Sequence, residues 1–504
     1  MKQLFLALLL SLVNYSVTGQ NQNYRITSQA NTYTNPIFPG DYPDPSILRD
    51  GDDFYMVHSS FEYYPGLLIW HSTDLINWEP VTNALNSYVG SVWAPDLIKY
   101  EDKYYIYFPA SDTNYVIVAN NIKGPWSDPK ELKINMIDPG HITDDKGNRY
   151  LYFSSGSYVP LSKDGLTVTG EPKHVYDGWE IPRDWSIECF CMEGPKLIKR
   201  GGYYYLTVAE GGTAGPATGH MVISARSKSP LGPWENAPHN PILRTQSVEE
   251  PWWSVGHATI FDDGHNHWYM LFHGYEKGFY NLGRQTMLLP IEWTQEGWYK
   301  IPDNITITQP IALPKLDNRL ENAFTLSDTF QGPELGSQWR FFKEADETRY
   351  RFINQSLEIK AKGNNVANCS PLLTMPSNHS YTAQVELEIT GEATGGLVLF
   401  YNERAFSGIL ADKENVLANL RGWQFPTQPK VINRQVYLRL KNTNNLVDMY
   451  YSLDGKLWLK TENSLDVTGY HHNVLSGFMA LRIGLCSVGE GSVIFKNFVY
   501  TPED

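Results

Sequence analysis

The chain has 504 residues and a formal net charge of −14, with 42% hydrophobic, 19% charged and 13% aromatic residues. That composition excludes a disordered or coiled-coil chain, and the length implies two or three domains, with two as the working number. The acidic balance and the lack of clustered Lys and Arg argue against a nucleic-acid partner. The 15 Trp and 32 Tyr supply flat, amphipathic surfaces that suit sugar rings and strand packing equally well.

Residues 1–19 read as a signal peptide: Lys2 is the charged start, residues 4–13 are apolar, and small residues lead to Gly19. The expectation is a secreted or periplasmic protein, without a lipid anchor because no Cys lies near the cleavage site. The apolar run is too short to cross a bilayer, and no other stretch is long enough, so no membrane span is predicted.

After the leader, one pattern recurs five times: a small, acidic or His-containing head, an apolar strand, a polar turn and a Tyr-rich strand. The copies are DPSILRDGDDFYMVHSS from Asp44, APDLIKYEDKYYIYFPA from Ala94, DPGHITDDKGNRYLYFSS from Asp138, EGPKLIKRGGYYYLTVAE from Glu193 and GHATIFDDGHNHWYMLFHG from Gly256. Each is a hairpin of two short strands. Further strands between the copies, such as LLIWHSTDLINWEPV and VISARSKSPLGPWENAP, complete four strands per unit. The spacing predicts a five-bladed β-propeller over residues 24–320. In a propeller the heads of the innermost strands meet at one end of the central channel. Asp44, Asp138, Glu193 and His257, far apart in sequence, are therefore expected in one pocket.

The four cysteines, Cys189, Cys191, Cys369 and Cys486, are too few for a disulfide framework, and one bridge at most is expected. Cys189 and Cys191 have no second half of a zinc motif nearby and read as structural thiols; the sequence leaves a Cys369–Cys486 bridge open. Residues 310–321 read as a linker. Residues 325–504 alternate in short strands with turn residues at each break, among them YTAQVELEI, GGLVLFYN, FMALRIGLCS and SVIFKNFVY. They predict an antiparallel β-sandwich, giving an all-β chain.

Glycosidic hydrolysis needs one carboxyl held protonated for the leaving oxygen and a second, ionised one to activate water or attack carbon. A third acid near such a pair raises the proton affinity of one member. Asp44 in YPDPS, Glu193 in CMEGPK and Asp138 form such a trio.

On these residues the propeller resembles glycoside hydrolase family 43, particularly its β-xylosidase and α-L-arabinofuranosidase branch, over about residues 35–300. NPIFPGDYPDPS resembles the segment of that family's catalytic base and assigns the role to Asp44. IDPGHITDDKGNRYL resembles the segment of the pKa-tuning acid and assigns Asp138, and MEGPKLIKRGGYYYLTVAEGGT resembles that of the general acid and assigns Glu193. FEYYPGLLIWHSTDLINW, SVWAPDL, GHATIF and LGRQTM are also similar to family segments, and nominate Phe61, Trp93, His257 and Arg284 as lining the sugar site. The trailing domain resembles the concanavalin-like sandwich that follows the propeller in many members.

The resemblance implies an exo-acting, inverting glycosidase that releases a terminal α-L-arabinofuranosyl or β-D-xylosyl group from plant polysaccharide or oligosaccharide. It requires no cofactor, although His257 is open to three readings: a core histidine, a group orienting the base, or part of a hydrated Ca2+ site in the channel. Asp96, in the second head, reads as structural. Two segments depart from the family pattern: Tyr64 stands where branch members often have Phe, and MLLPIEW follows Arg284. Both bear on which sugar is taken. A non-catalytic carbohydrate-binding propeller would keep Trp93 but has no need of the three acids. An endo-arabinanase or a sucrose-processing transferase would share the propeller and the acids, with motifs that the latter matches poorly.

Overall fold

The structure, a computed structural model, describes residues 31–316, 324–344, 346–427 and 434–503. The predicted signal peptide and the end of the predicted linker lie outside the described residues. Five antiparallel sheets follow one another along the chain, with innermost strands Ser46–Asp50, Asp96–Tyr100, Gly140–Thr143, Met192–Arg200 and Trp252–Asp262. They are the five blades of a propeller, and each predicted repeat supplies the first two strands of one blade. The Tyr-rich second strands are buried almost continuously, as in Tyr203–Glu210. A blade packs against a neighbour on both faces, so its middle strands lack the alternation of a half-solvated sheet. The ring closes through the N-terminal segment. Thr32–Tyr33 pairs with Ile311–Ala312, and Phe38 bridges Thr286 in the fifth blade.

A buried ion pair and its hydrogen bonds tie four blades at the axis. Lys196 Nζ donates to Asp96 Oδ1 at 2.8 Å and to the carbonyls of Pro95 and Pro139 at 2.9 and 3.3 Å. Asp96 Oδ2 accepts from the backbone N–H of His141 at 2.7 Å, and Ser46 Oγ lies 3.4 Å from Oδ1. The second-blade acid thus serves the scaffold.

The sandwich departs from the predicted strand count. YTAQVELEI and GGLVLFYN are parts of one strand, Ser380–Asn402, and residues 482–502 likewise run as the single strand Arg482–Pro502. The glycines read as breaks are bends. Gly391 (φ 63°) faces Gly491 (φ 115°) in the ladder between these strands, and Gly489 (φ 91°) faces Ala393. Left-handed glycines let both strands turn a corner together without breaking their hydrogen bonds. One continuous sheet network therefore wraps around a single apolar core.

The two domains share structure. Propeller strand Tyr63–Tyr64 pairs with sandwich strand Arg340–Phe342, and Phe61 and Tyr63 lie in the sandwich core cluster. Cys189 and Cys191 form a disulfide, which corrects the reading of them as free structural thiols. With one residue between them their Cα atoms stand 5.2 Å apart, within bridging distance. Cys369 and Cys486 are buried free thiols.

Removing one partner of a buried ion pair strands the other charge. Lys196→Met is therefore expected to lower stability by about 3–5 kcal/mol in urea unfolding, and adding Asp96→Leu should recover part of the loss. A drop below about 1 kcal/mol would mean that the pair behaves as a surface one.

Candidate active site

The heads of blades one, three, four and five turn through the left-handed region at Asp44 (φ 58°), Asp138 (φ 58°), Gly194 (φ 61°) and His257 (φ 53°). Such backbone is uncommon for residues with a Cβ and persists where the surroundings enforce it, often at functional sites. At Gly194 glycine is required twice over, because a Cβ would also stand 2.8 Å from His257 Nε2.

Asp44 is 4% exposed and fully engaged. Its Oδ2 accepts from Ser59 Oγ at 2.5 Å, and its Oδ1 pairs with Arg284 Nη1 at 3.1 Å. Two imidazole nitrogens, Nδ1 of His257 and Nδ1 of His273, lie 3.3 Å from Oδ1. The His273 nitrogen also accepts the Asp44 backbone N–H at 3.0 Å. It must carry a lone pair, so the His273 proton sits on Nε2, facing Thr213 Oγ1 at 3.2 Å. Burial holds both imidazoles neutral, pushing His257 down to about 4 and His273 to about 3. Burial alone would raise the Asp44 carboxyl. Arg284, with His257 as the next contribution, outweighs it and holds Asp44 well below the usual carboxylate range.

Asp138 and Glu193 have the opposite environment. Asp138 Oδ2 accepts from the Gly194 N–H at 3.0 Å and from Ser154 Oγ at 3.3 Å. Burial is the first cause raising the Glu193 carboxyl well above its usual range, and the neighbouring charges of Asp138 and Asp44 add to it. Asp138 is raised by the same two causes, burial first and then the charge of Asp44. The charge of Asp138 thus keeps the proton on Glu193.

The predicted sugar-lining residues gather on the Asp44 side of the trio, around Arg284. The Phe61 ring lies 5.7 Å from the Arg284 guanidinium carbon, and Trp93 is half-buried with its Nε1 donating to Ser91 Oγ at 3.0 Å. Arg284 engages Asp44 with one nitrogen, while its Nε is buried with no partner among the described residues.

Several functional candidates escaped the sequence reading. Ser59, Ser154 and His273 stand at the outgoing ends of repeats one, three and five. Each repeat's tail returns to the mouth, and in repeats one and three it bonds the acid at its own head. This signal was present in the repeats. His220, fully buried, has Nε2 3.8 Å from Glu193 Oε1 and stacks on His273 with ring centroids 5.6 Å apart. Phe478 comes from the sandwich, on the turn after the short helix His472–Leu475. Its ring lies 5.9 Å from Trp93 and 5.5 Å from the Arg284 guanidinium carbon, backed by His472 stacked at 3.8 Å. Among the described residues no three His, Cys, Asp or Glu converge as metal ligands. His257 Nε2 is buried with no hydrogen-bond partner among the described residues. No helix among them is long and apolar enough to cross a membrane.

Residues 33–299 match the glycosyl hydrolases family 43, and residues 327–501 match the beta xylosidase C-terminal concanavalin A-like domain. A non-reducing end α-L-arabinofuranosidase of Bacteroides ovatus is 32% identical, the match covering 68% of this chain and 67% of the relative. A xylosidase/arabinosidase of Butyrivibrio fibrisolvens is 29% identical over 91% of this chain and 96% of its own. Among solved structures, the GH43 protein BlXynB of Bacillus licheniformis superposes with a TM-score of 0.84 at 26% identity, covering 93% of this chain and 99% of its own.

The raised Glu193 carboxyl has a consequence for stability. The folded chain holds this proton where the unfolded chain has released it, so stability falls as pH rises from the ordinary carboxyl range toward the raised value. Glu193→Gln, close in shape to the protonated acid, should flatten that fall. The variant is expected to melt about 3 °C or more above the parent at pH 8 and to converge with it at pH 4. Parallel melting curves across this range would disprove the raised proton affinity.

Proposed function

Because the chain belongs to glycosyl hydrolase family 43, and is therefore a glycoside hydrolase, we propose that it releases single terminal pentoses, α-L-arabinofuranosyl or β-D-xylosyl, with inversion at the anomeric carbon. The observation that carries this reading is the opposed proton affinity of Asp44 and Glu193 within one pocket. An acid and a base are both ready near neutral pH, which general acid–base catalysis requires.

Glu193 donates its proton to the glycosidic oxygen as that bond breaks. Asp44 takes a proton from the water that attacks the anomeric carbon from the opposite face. The products are the free sugar and the alcohol, with Asp44 protonated and Glu193 ionised until solvent exchange resets both. Asp138 keeps the proton on Glu193 in the resting state. Ser59 fixes one oxygen of Asp44 and Arg284 the other, so the base presents a defined face to the water.

Exo action is supported by the wall formed by Trp93, Phe478 and Arg284, which suits one ring rather than a continuous chain. The relatives named for arabinofuranosidase and for xylosidase activity support a pentose. The leader-like residues 1–19 support export toward plant polysaccharide outside the cell. A binding-only propeller would gain nothing from gathering three carboxyls, two of them buried at left-handed backbone positions.

Proton NMR during the first minutes of hydrolysis tests both parts of the proposal. The first sugar seen should be a free pentose with the anomeric configuration opposite to the substrate, ahead of mutarotation. A retained configuration would overturn inversion, and a ladder of oligosaccharides would overturn exo action. We further propose that no metal takes part in the chemistry, because acid and base are both supplied by side chains. Chelator treatment should leave most activity intact, with a fall in melting temperature if the channel binds Ca2+ near His257. Complete, metal-reversible inactivation would refute this.

A further inference from the structure

Two residues before Glu193 the chain makes a closed loop. The Cys189–Cys191 disulfide rings a single residue, Phe190, whose side chain points away from the fold at 75% exposure. An exposed phenyl ring beside the proposed general acid is costly to hydrate and gains nothing from the core. The loop is nevertheless firmly based. Glu188 N–H donates to the Gly211 carbonyl at 2.9 Å, Gly211 N–H donates to the Cys191 carbonyl at 3.2 Å, and Glu188 Oε2 accepts from Ala214 N–H at 2.7 Å. The Glu188 side chain lies so close to Gly212 and Gly215 that a Cβ at either would stand 2.4 Å from it.

Phe190 lines two adjoining cavities. One, of about 580 Å³, includes Ser154 and Glu193 in its wall. The other, of about 550 Å³, is walled by Trp179, Arg183 and Glu210. Glu210 is 3% exposed; its Oε1 accepts from the Trp179 N–H at 2.8 Å, and its Oε2 has no partner among the described residues. Burial raises this carboxyl to about 7, so near neutral pH it offers a hydroxyl as well as an acceptor. A flat apolar ring close to a carboxyl with an unpartnered oxygen matches a sugar, which has an apolar C–H face and a hydroxyl rim.

The direction of the chemistry fixes which sugar. The general acid must face the leaving oxygen, so the cavity it shares with Phe190 lies on the leaving-group side, while Asp44 and the Phe478 wall enclose the sugar to be released. From this we infer that the disulfide-ringed Phe190 and the Glu210 cavity form the leaving-group subsite, in which Phe190 stacks on the neutral sugar ring that bears the departing pentose. The disulfide keeps the phenyl ring beside Glu193. This inference rests on the proposed glycosidase reading and adds where the rest of the substrate lies.

The test compares a substrate with a sugar leaving group against one without. For a pentosyl oligosaccharide and the matching pentosyl fluoride, the ratio of their kcat/KM values should fall about tenfold in Phe190→Ala, mainly through the oligosaccharide KM. The Cys189→Ser/Cys191→Ser double variant should lose part of that ratio, and dithiothreitol should lower it in the parent but not in the double variant. An unchanged ratio in Phe190→Ala would overturn the subsite. Calorimetric titration of the unhydrolysed oligosaccharide into Glu193→Gln, with and without Phe190→Ala, separates this inference from the activity itself. Weaker binding with Phe190→Ala supports the subsite, and equal binding overturns it. Failure of the parent to cleave either substrate would count against the proposed activity alone.

Discussion

Three carboxyl groups gather at the mouth of the propeller, and the Arg284 guanidinium makes an ion pair with one of them, Asp44. Burying an ionised carboxyl without a counter-charge is expensive, so each acid must find compensation or keep its proton. Asp44 has Arg284 at 3.1 Å, a hydroxyl at 2.5 Å and the His257 imidazole at 3.3 Å, and it ionises. Asp138 accepts a backbone N–H and a serine hydroxyl, but burial and the neighbouring carboxylates outweigh Lys196 and Arg284 at this pair, so Glu193 keeps its proton. Lys196 pairs with Asp96 at 2.8 Å and acts on Asp138 only through its charge. The acid and base roles therefore follow from where one arginine stands.

That arrangement needs a rigid frame, and the frame carries local strain. Non-glycine residues in the left-handed region at Asp44, Asp138 and His257 cost energy that the packed blades must offset. They place side chains where ordinary strand geometry would not, at the mouth rather than between blades. The buried lysine at the axis and the closure of the ring by Phe38 and the N-terminal strand hold these heads at fixed spacing.

The pocket is also a product of two domains. Strand pairing between Tyr63–Tyr64 and Arg340–Phe342 makes the junction part of a sheet rather than a surface contact. The backbone bond from Leu481 N–H to the Asn281 carbonyl at 3.1 Å holds the chain just after Phe478 against the fifth blade. A propeller alone would leave Arg284 and Trp93 open to water on that side, and the sandwich supplies the ring that covers them. Removing water there strengthens every charge interaction around Asp44.

The propeller and its three acids were legible from the sequence because a repeat is a local pattern: head, strand, turn and strand recur whatever lies far away. The tails of the same repeats, Ser59, Ser154 and His273, carried a readable signal that went unused. The sandwich was legible as strands but not as two strands bent around a corner, since a glycine that ends a strand and one that bends it look alike until its ladder partner is known. Arg284, Phe478 and His220 acquire their meaning from contacts across 240 residues in the first case and between domains in the second. No local spacing encodes such contacts. Proton affinities lie furthest from the sequence: Asp44 and Asp138 share the motif Asp-Pro and the same backbone twist, yet burial beside a guanidinium or beside another carboxyl, which only the folded chain decides, drives them in opposite directions.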